Sequence, residues 1–190
     1  MKGRIGWKIA ACLAVVVLCV SGCKSGMSNA EAEQKVKETW QEYQQMYVNI
    51  WVTGLGYKGE IDESILIKGD SDYDYLCPVE GDITTMQQLK DAVEKVCTPQ
   101  FAEDNYYKPY LEGDTKLYEE KDGKLYIRLW ANTNYIPNIE TCTVKSVAKD
   151  KIVAELVCEK DSITGEQNNY SVTMVLLNEE WLIDKVEQIK

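Results

Sequence analysis

The sequence of 190 residues contains no histidine, so the residues that could carry chemistry are its cysteines, carboxylates, tyrosines and lysines. Without histidine there is no Ser-His-Asp or Cys-His nucleophilic site and no imidazole ligand for a metal. The cysteines include no Cys-x-x-Cys pair, so neither a thiol redox motif nor a zinc ribbon is indicated. We therefore expect no catalytic residue, no cofactor and no metal site.

Three aspartates at alternate positions, Asp70, Asp72 and Asp74, are spaced like the first ligands of a calcium-binding loop. Such a loop needs Gly at its sixth position and Glu at its twelfth, where this chain has Tyr75 and Gly81. The spacing therefore predicts a solvated acidic turn and not a calcium site.

The aromatic composition favours side chains that also form hydrogen bonds, with 12 Tyr and 5 Trp but a single Phe. That bias is typical of surfaces that are partly apolar and partly hydrogen-bonding, such as protein interfaces. One group of tyrosines surrounds Pro109, and a polar loop over 131–138 follows Trp130. We expect part of this set to lie in the core and the rest to form a binding surface. The whole set consists of Tyr106, Tyr107, Tyr110, Trp130, Asn132, Asn134 and Tyr135.

The first 22 residues have the composition of a targeting segment. Three cations precede an apolar run over 9–20, which has the length of a signal-peptide core and is short for a membrane span. The run ends in Val20-Ser21-Gly22-Cys23, which resembles the lipobox of bacterial lipoproteins. That resemblance implies lipidation of Cys23, which becomes the N-terminus after cleavage. An ordinary secretory signal cut near Gly22 and an uncleaved anchor are the alternatives.

These expectations divide the chain into a signal peptide over 1–22, the lipidated Cys23 with a tether over 23–30, and one domain over 31–190. They place the domain on the extracytoplasmic face of the cell membrane, held by its lipid anchor. Loss of the three leader cations changes the net charge from −10 to −13. Such an acidic domain repels anionic lipid headgroups and does not suit nucleic acid. The expected partners are a protein and, through the anchor, the membrane.

Three helices are predicted in the first half of the domain. Ser28-x-x-Glu31 is a capping box, and an amphipathic stripe follows it to Gly54. Thr84-x-x-Gln87 is a second capping box, before a helix that runs to about Cys97. Thr98 and Pro99 are typical of an N-cap and first helical position, and this third helix should end before Pro109. The stripe of the first helix, which either lines a ligand pocket or packs on a sheet, contains Val36, Trp40, Tyr43, Tyr47, Ile50 and Trp51.

The remaining segments predict strands. Short strands are expected over 65–68 and 73–79, and a hairpin over 116–120 and 124–130 around a Lys121-Asp122-Gly123 turn. Four further strands are expected near 139–148, 152–160, 169–177 and 181–187. This pattern predicts an α+β domain with N-terminal helices packed on one face of a curved antiparallel sheet, in an NTF2-like or cystatin-like arrangement.

The predicted domain holds an even number of cysteines, which permits disulfides in an extracytoplasmic chain: Cys77, Cys97, Cys142 and Cys158. A loop over 149–151 pairs Ala148 with Ile152, which places Cys142 opposite Cys158 on the core face. A disulfide between them and two buried free thiols both fit that register. Cys77 and Cys97 would then pair by elimination.

Five segments carry a wider pattern: the helix with Trp40 and Tyr43, Thr84-Thr85-x-x-x-Leu89, Cys97-Thr98-Pro99-Gln100-Phe101-Ala102, Asp122-Gly123-Lys124-Leu125-Tyr126 and Trp181-Leu182-Ile183. In this order they resemble the D,L-endopeptidase inhibitor (IseA-like) family of Gram-positive cell-surface proteins, over about residues 30–188. The resemblance implies a non-catalytic protein that blocks NlpC/P60-type hydrolases, which cut peptidoglycan stem peptides. The segment 130–135 departs from the Gly- and Asp-containing loop that the family tends to have there.

We therefore expect a lipid-anchored protein that inhibits or binds a peptidoglycan D,L-endopeptidase by occluding its cleft. The alternative is an NTF2-like lipoprotein that binds a small ligand between its helices and sheet. An inhibitor should have an exposed aromatic patch or a protruding loop and no deep cavity. A ligand-binding protein should have a cavity of roughly several hundred Å³.

Overall fold

The architecture is α+β, as expected, and combines short helices with antiparallel strands. A computed structural model describes residues 26–56, 67–68, 75–112, 116–128, 136–160 and 165–189. Several predicted features lie outside the described residues: the signal peptide, Cys23, the acidic turn with Asp70, Asp72 and Asp74, and the loop residues Trp130, Asn132, Asn134 and Tyr135.

Helix α1 spans Asn29–Tyr47 and begins at the predicted capping box. The Glu31 backbone N–H donates to the Ser28 hydroxyl, and the Ser28 backbone N–H donates to the Glu31 carboxylate at 2.8 Å. The helix starts inside the segment predicted to be a tether, and it continues as a π-helix over Val48–Val52. The predicted stripe is its buried face, so it packs against the protein interior.

Helix α2 spans Met86–Glu94, and its capping box is one residue later than predicted. Thr85 is the N-cap, and the Gln88 side chain accepts hydrogen bonds from the backbone N–H groups of Thr84 and Thr85. The predicted box at Thr84 and Gln87 is therefore wrong, because two adjacent threonines offer the same local signal. Among the described helices, none is long and apolar enough to cross a membrane.

Helix α3 spans Pro99–Ala102, with Thr98 as N-cap and Pro99 in its first turn, as predicted. It does not end before Pro109 but continues as a second π-helix over Glu103–Glu112. A proline interrupts an α-helix because it has no N–H and crowds the carbonyl four residues earlier. A π-helix bonds residues five apart, so its wider turn changes that contact and the helical path continues.

The described strands form two four-stranded sheets, whereas a single sheet was predicted. In the first sheet the order is β1-β2-β4-β3, with β1 Ile67–Lys68, β2 Tyr75–Pro78, β3 Tyr118–Lys121 and β4 Lys124–Arg128. The second is a meander in chain order, with β5 Ile139–Val147, β6 Lys151–Lys160, β7 Gln167–Leu177 and β8 Glu180–Ile189. Strand β4 lies inside the first sheet, between β2 and β3, and β1 and β3 form its edges.

Helix α1 packs on one face of the second sheet, where Ile152, Ala154, Leu156 and Cys158 of β6 point inward. A second junction links the helical half to the edge of β8. The Ile183 N–H donates to the Val96 carbonyl at 2.9 Å, and the Thr98 N–H donates to the Ile183 carbonyl at 2.8 Å. One hydrophobic core therefore includes residues from the helices and from both sheets.

Candidate functional site

The predicted aromatic surface is, in its described part, mostly core. Tyr106 and Tyr107 are each 3% exposed, and Tyr110 is half-buried. The expectation that these tyrosines form an exposed binding patch is therefore wrong for Tyr106 and Tyr107. The π-helix turns both side chains inward, and the hydrogen-bonding part of each ring finds a partner inside the protein.

The Tyr106 ring is stacked on the indole of Trp51, with centroids 5.1 Å apart and planes only 3° from parallel. Tyr110 stacks on the same indole at 5.4 Å, and Tyr118 meets it edge-on at 5.8 Å. Because Trp51 lies on the first π-helix and Tyr106 on the second, this stack joins the two π-helices. These rings stabilise the junction of the helices with β3.

The buried phenol groups are hydrogen-bonded to each other and to the backbone. The Tyr106 hydroxyl donates to the Tyr43 hydroxyl at 2.7 Å, and the Leu55 N–H donates to the Tyr118 hydroxyl at 3.0 Å. Burial raises the pKa of the Tyr43, Tyr106 and Tyr118 phenols far above the ordinary value. These groups stay protonated at neutral pH and serve the packing of the core.

Tyr107 is held against α2. Its hydroxyl donates to a Glu94 carboxylate oxygen at 3.0 Å, and the Lys90 ammonium lies 4.7 Å from its ring centroid. Burial is the main cause that raises the pKa of the Tyr107 phenol, and the nearby Glu94 carboxylate raises this pKa further. Both contacts hold the second π-helix against α2, so Tyr107 contributes to the packing of these two helices.

The four cysteines of the domain are buried free thiols, which is one of the two alternatives left open by the sequence. The predicted register between β5 and β6 is wrong, since Cys142 lies opposite Leu156 and Cys158 lies opposite Ile139. The pairing already differs beside the turn, where Val147 lies opposite Ile152 and Ala148 lies exposed beyond the strand. Irregularities after Val144 and after Ile139 shift it further. Burial raises the pKa of the Cys142 and Cys158 thiols to about 11, so both remain protonated at neutral pH.

Neither a family model nor a curated protein matches the chain. The site must therefore be argued from the arrangement of the described residues. Among these residues, no group of three or more Cys, Asp or Glu side chains is placed to hold a metal ion.

A groove lies beside α1, and we call it the α1 groove. Its larger part has a volume of about 570 Å³ and lies between α1, the segment 80–83 and α2. Its floor is apolar, and it includes the buried side chains of Met46, Ile50 and Val96 together with half-buried Ile83 and Ala92. Exposed polar side chains from α1 and its continuation form one wall: Glu42, Gln45 and Asn49.

A smaller cleft of about 330 Å³ extends the α1 groove toward the turn between β7 and β8. The two parts share Glu42 and Lys95, so they form one continuous surface. The extension is polar, with Glu179 of the turn and Glu180 at the start of β8 facing the middle of α1. The α1 groove is therefore apolar at one end and acidic at the other.

The opposite flank of α1 is partly closed by the segment that follows the predicted binding loop. The Gln44 side chain donates to the Ile136 carbonyl at 2.8 Å, and the Trp40 indole N–H donates to the Pro137 carbonyl at 3.4 Å. Two polar clefts of about 390 and 380 Å³ remain on this flank. Residues 136–138 are thus fixed to α1 where the predicted loop ends.

The predicted binding residues that the structure describes, Tyr106, Tyr107 and Tyr110, do not line the α1 groove. A sequence signal did exist, because Glu42, Gln45 and Asn49 recur on one side of α1 next to buried Met46 and Ile50. That boundary between polar and apolar positions marks where the helix meets solvent. It did not indicate a groove, because the opposite wall comes from residues 80–83 and 92–96, which are distant in the sequence.

Proposed function

We propose that the chain is a lipid-anchored extracytoplasmic protein that binds and inhibits a peptidoglycan D,L-endopeptidase of the NlpC/P60 type. Its role is to occupy the enzyme and not to catalyse a reaction. The identity of the target comes from the resemblance of its segments to the D,L-endopeptidase inhibitor (IseA-like) family. The anchor comes from the lipobox-like sequence that ends in Cys23.

The observation that carries this proposal is the contact between two of the segments behind that resemblance. Cys97-Thr98-Pro99 and Trp181-Leu182-Ile183 are more than 80 residues apart in sequence, yet Cys97 and Ile183 form a β-bridge. The Thr98 hydroxyl also donates to the Asp184 carboxylate at 3.1 Å. Because these two segments meet in space, they belong to one structural unit. Their contact supports the interpretation of the five segments as the pattern of one family.

The other segments of the pattern contribute to the same core. Trp40, Leu89, Phe101 and Leu125 are all buried within it. They support the fold that the resemblance implies, while the inhibitory surface must lie among exposed residues. The acidic charge of the domain adds support for a basic partner, because opposite charges accelerate association.

The experiment uses the fragment 24–190, which contains every described element and every residue of the core. Purified NlpC/P60-type endopeptidases digest peptidoglycan while the fragment is titrated, and the released stem peptides are quantified. We expect endopeptidase activity to fall with increasing fragment. A muramidase, which cuts the glycan strand, serves as the control and should be unaffected. Unchanged hydrolysis at saturating fragment, across several endopeptidases, contradicts the proposal.

A second candidate is a lipoprotein that binds a small ligand, and the larger part of the α1 groove favours it. A volume of about 570 Å³ is in the range of small-molecule sites, and its floor is apolar. If this candidate is correct, the native mass spectrum of the purified protein should show a bound ligand. The fragment then leaves every endopeptidase active.

A further inference from the structure

We propose that the α1 groove is the docking site for an extended segment of the partner protein in which apolar and basic side chains alternate. This inference rests on the proposed function only for the identity of the partner as a cell-wall endopeptidase. The chemistry of the docked segment comes from the groove itself. Its shape, its floor and its charge each restrict what can occupy it.

The length of the α1 groove suits an extended segment. Its wall residues on α1 and the following π-helix run from Lys35 to Ile50. At 1.5 Å per residue this is about 22 Å of helix axis. An extended chain rises about 3.3 Å per residue, so a segment of about seven residues would lie along the groove.

The floor of the α1 groove calls for apolar side chains. Its exposed apolar area comes mainly from half-buried Leu55, Ile83 and Ala92. Met46 and Val96 beside them are only 8% and 5% exposed. Covering this surface removes apolar area from water, which contributes about 25 cal/mol for each Å². A purely ionic occupant would leave that area in contact with water.

The rim of the α1 groove calls for basic side chains. Six carboxylates line it against two ammonium groups, those of Lys35 and Lys95. Of the six, Glu38 is paired with Lys35 at 3.0 Å. The others form no ion pair or side-chain hydrogen bond with any described residue: Glu42, Glu80, Asp82, Glu179 and Glu180. Exposed carboxylates concentrated beside an apolar floor attract cationic groups and orient them as they approach.

The test compares two charge reversals of equal size in the fragment 24–190. Glu42→Lys with Asp82→Lys changes the rim of the α1 groove. Glu112→Lys with Asp150→Lys makes the same change elsewhere, and all four carboxylates are exposed and form no ion pair among the described residues. A third variant, Ala92→Gln, narrows the floor without changing the charge. Circular dichroism and thermal unfolding verify that each variant is folded.

The first probe is a fluorescein-labelled peptide of about seven residues that alternates lysine and leucine, with a glutamate–leucine peptide as its control. We expect the groove reversal to weaken binding of the basic peptide by about tenfold or more in low salt, and the control reversal by about twofold or less. Ala92→Gln should also weaken binding. Equal binding by the two reversals, no binding by the unmodified fragment, or equal binding of both peptides would overturn the inference.

The second probe is the endopeptidase itself, and it separates the two proposals. If the unmodified fragment inhibits and the groove reversal does not, both stand. If the two inhibit equally, the partner docks elsewhere and the inference is overturned, while the proposed function stands. If the basic peptide binds the groove but no endopeptidase is inhibited, the proposed function fails alone. Dimerisation that the groove reversal abolishes would assign the groove to a second copy and overturn the inference.

Discussion

Gly54 should tolerate alanine much less well than Gly123, although both have a left-handed backbone. Their φ values are +75° and +72°, so a Cβ at either position is strained. A Cβ at Gly123 meets no atom within 4 Å, whereas one at Gly54 clashes with Cδ1 of Ile127, a side chain only 6% exposed. Both substitutions therefore have the energetic cost of a left-handed backbone, but only Gly54→Ala also has the cost of a steric clash.

The magnitudes follow from these two terms. The left-handed backbone costs a residue with a Cβ about 1–2 kcal/mol. Overpacking a side chain in the core adds about 1–3 kcal/mol. The loss of unfolded-state entropy is the same in both substitutions and cancels when they are compared. Gly123→Ala should therefore lower the free energy of unfolding by about 1 kcal/mol, and Gly54→Ala should lower it by about 1–3 kcal/mol more.

The assay is equilibrium unfolding in urea, followed by the fluorescence of Trp40 and Trp51, which are both buried. Equal slopes for the variants would show that only the free energy has changed. Adding Ile127→Val to Gly54→Ala removes the Cδ1 atom. A double-mutant cycle should then show that most of the additional loss of stability at Gly54, relative to Gly123, is recovered. Equal losses at the two glycines, or no coupling between Gly54 and Ile127, would refute the reasoning.

Four further predictions concern the core. Thr98→Ala should lower the free energy of unfolding by about 1–2 kcal/mol, because it removes the cap on the Phe101 N–H and the bond to Asp184. Thr98→Ser keeps the hydroxyl and should retain most of the wild-type free energy of unfolding, as measured by unfolding in urea. Tyr106→Phe leaves the buried Tyr43 hydroxyl without its donor and should cost about 1–3 kcal/mol, and an unchanged urea midpoint would contradict this. The four core thiols should react slowly with iodoacetamide until the chain unfolds, and a disulfide in the mass spectrum would contradict the structure. The β5 and β6 thiols have their pKa raised from 9.0 to about 11, so the folded state keeps protons that the unfolded state releases, and stability should fall as pH rises from about 9 to 11.

Features that depend on residues close together in sequence were predictable. The Ser28–Glu31 capping box forms as predicted. The hairpin turn also forms where it was expected, although Lys121 pairs with Lys124 and the turn is therefore the two residues Asp122 and Gly123. The strands of the meander also follow from their alternating pattern. The β5–β6 register failed because a hydrogen bond from the Ala148 N–H to the Lys151 carbonyl closes a shorter turn than the predicted loop over 149–151. Two irregularities, which an alternating pattern does not indicate, then shift the pairing further.

The candidate site was less predictable than the fold. Tyr106 and Tyr107 have the composition of an interface, but their burial depends on stacking with Trp51 and on contacts with α2. The α1 groove arises where α1 passes the segments 80–83 and 92–96, more than 30 residues away in sequence. Local periodicity indicates which face of a helix is buried, but it does not indicate which distant segment borders that face.

The packing of α1 on the second sheet has a consequence for how the chain folds. Helix α1 contacts β5, β6 and β8, and the segment 96–98 is held by Ile183, more than 80 residues later in sequence. Contacts between residues so far apart slow folding, because a long loop must close before they form. Helix α1 and the segment 96–98 therefore lack their contacts with β8 until the last hairpin of the meander has formed. A chain truncated before β8 should accordingly fail to fold.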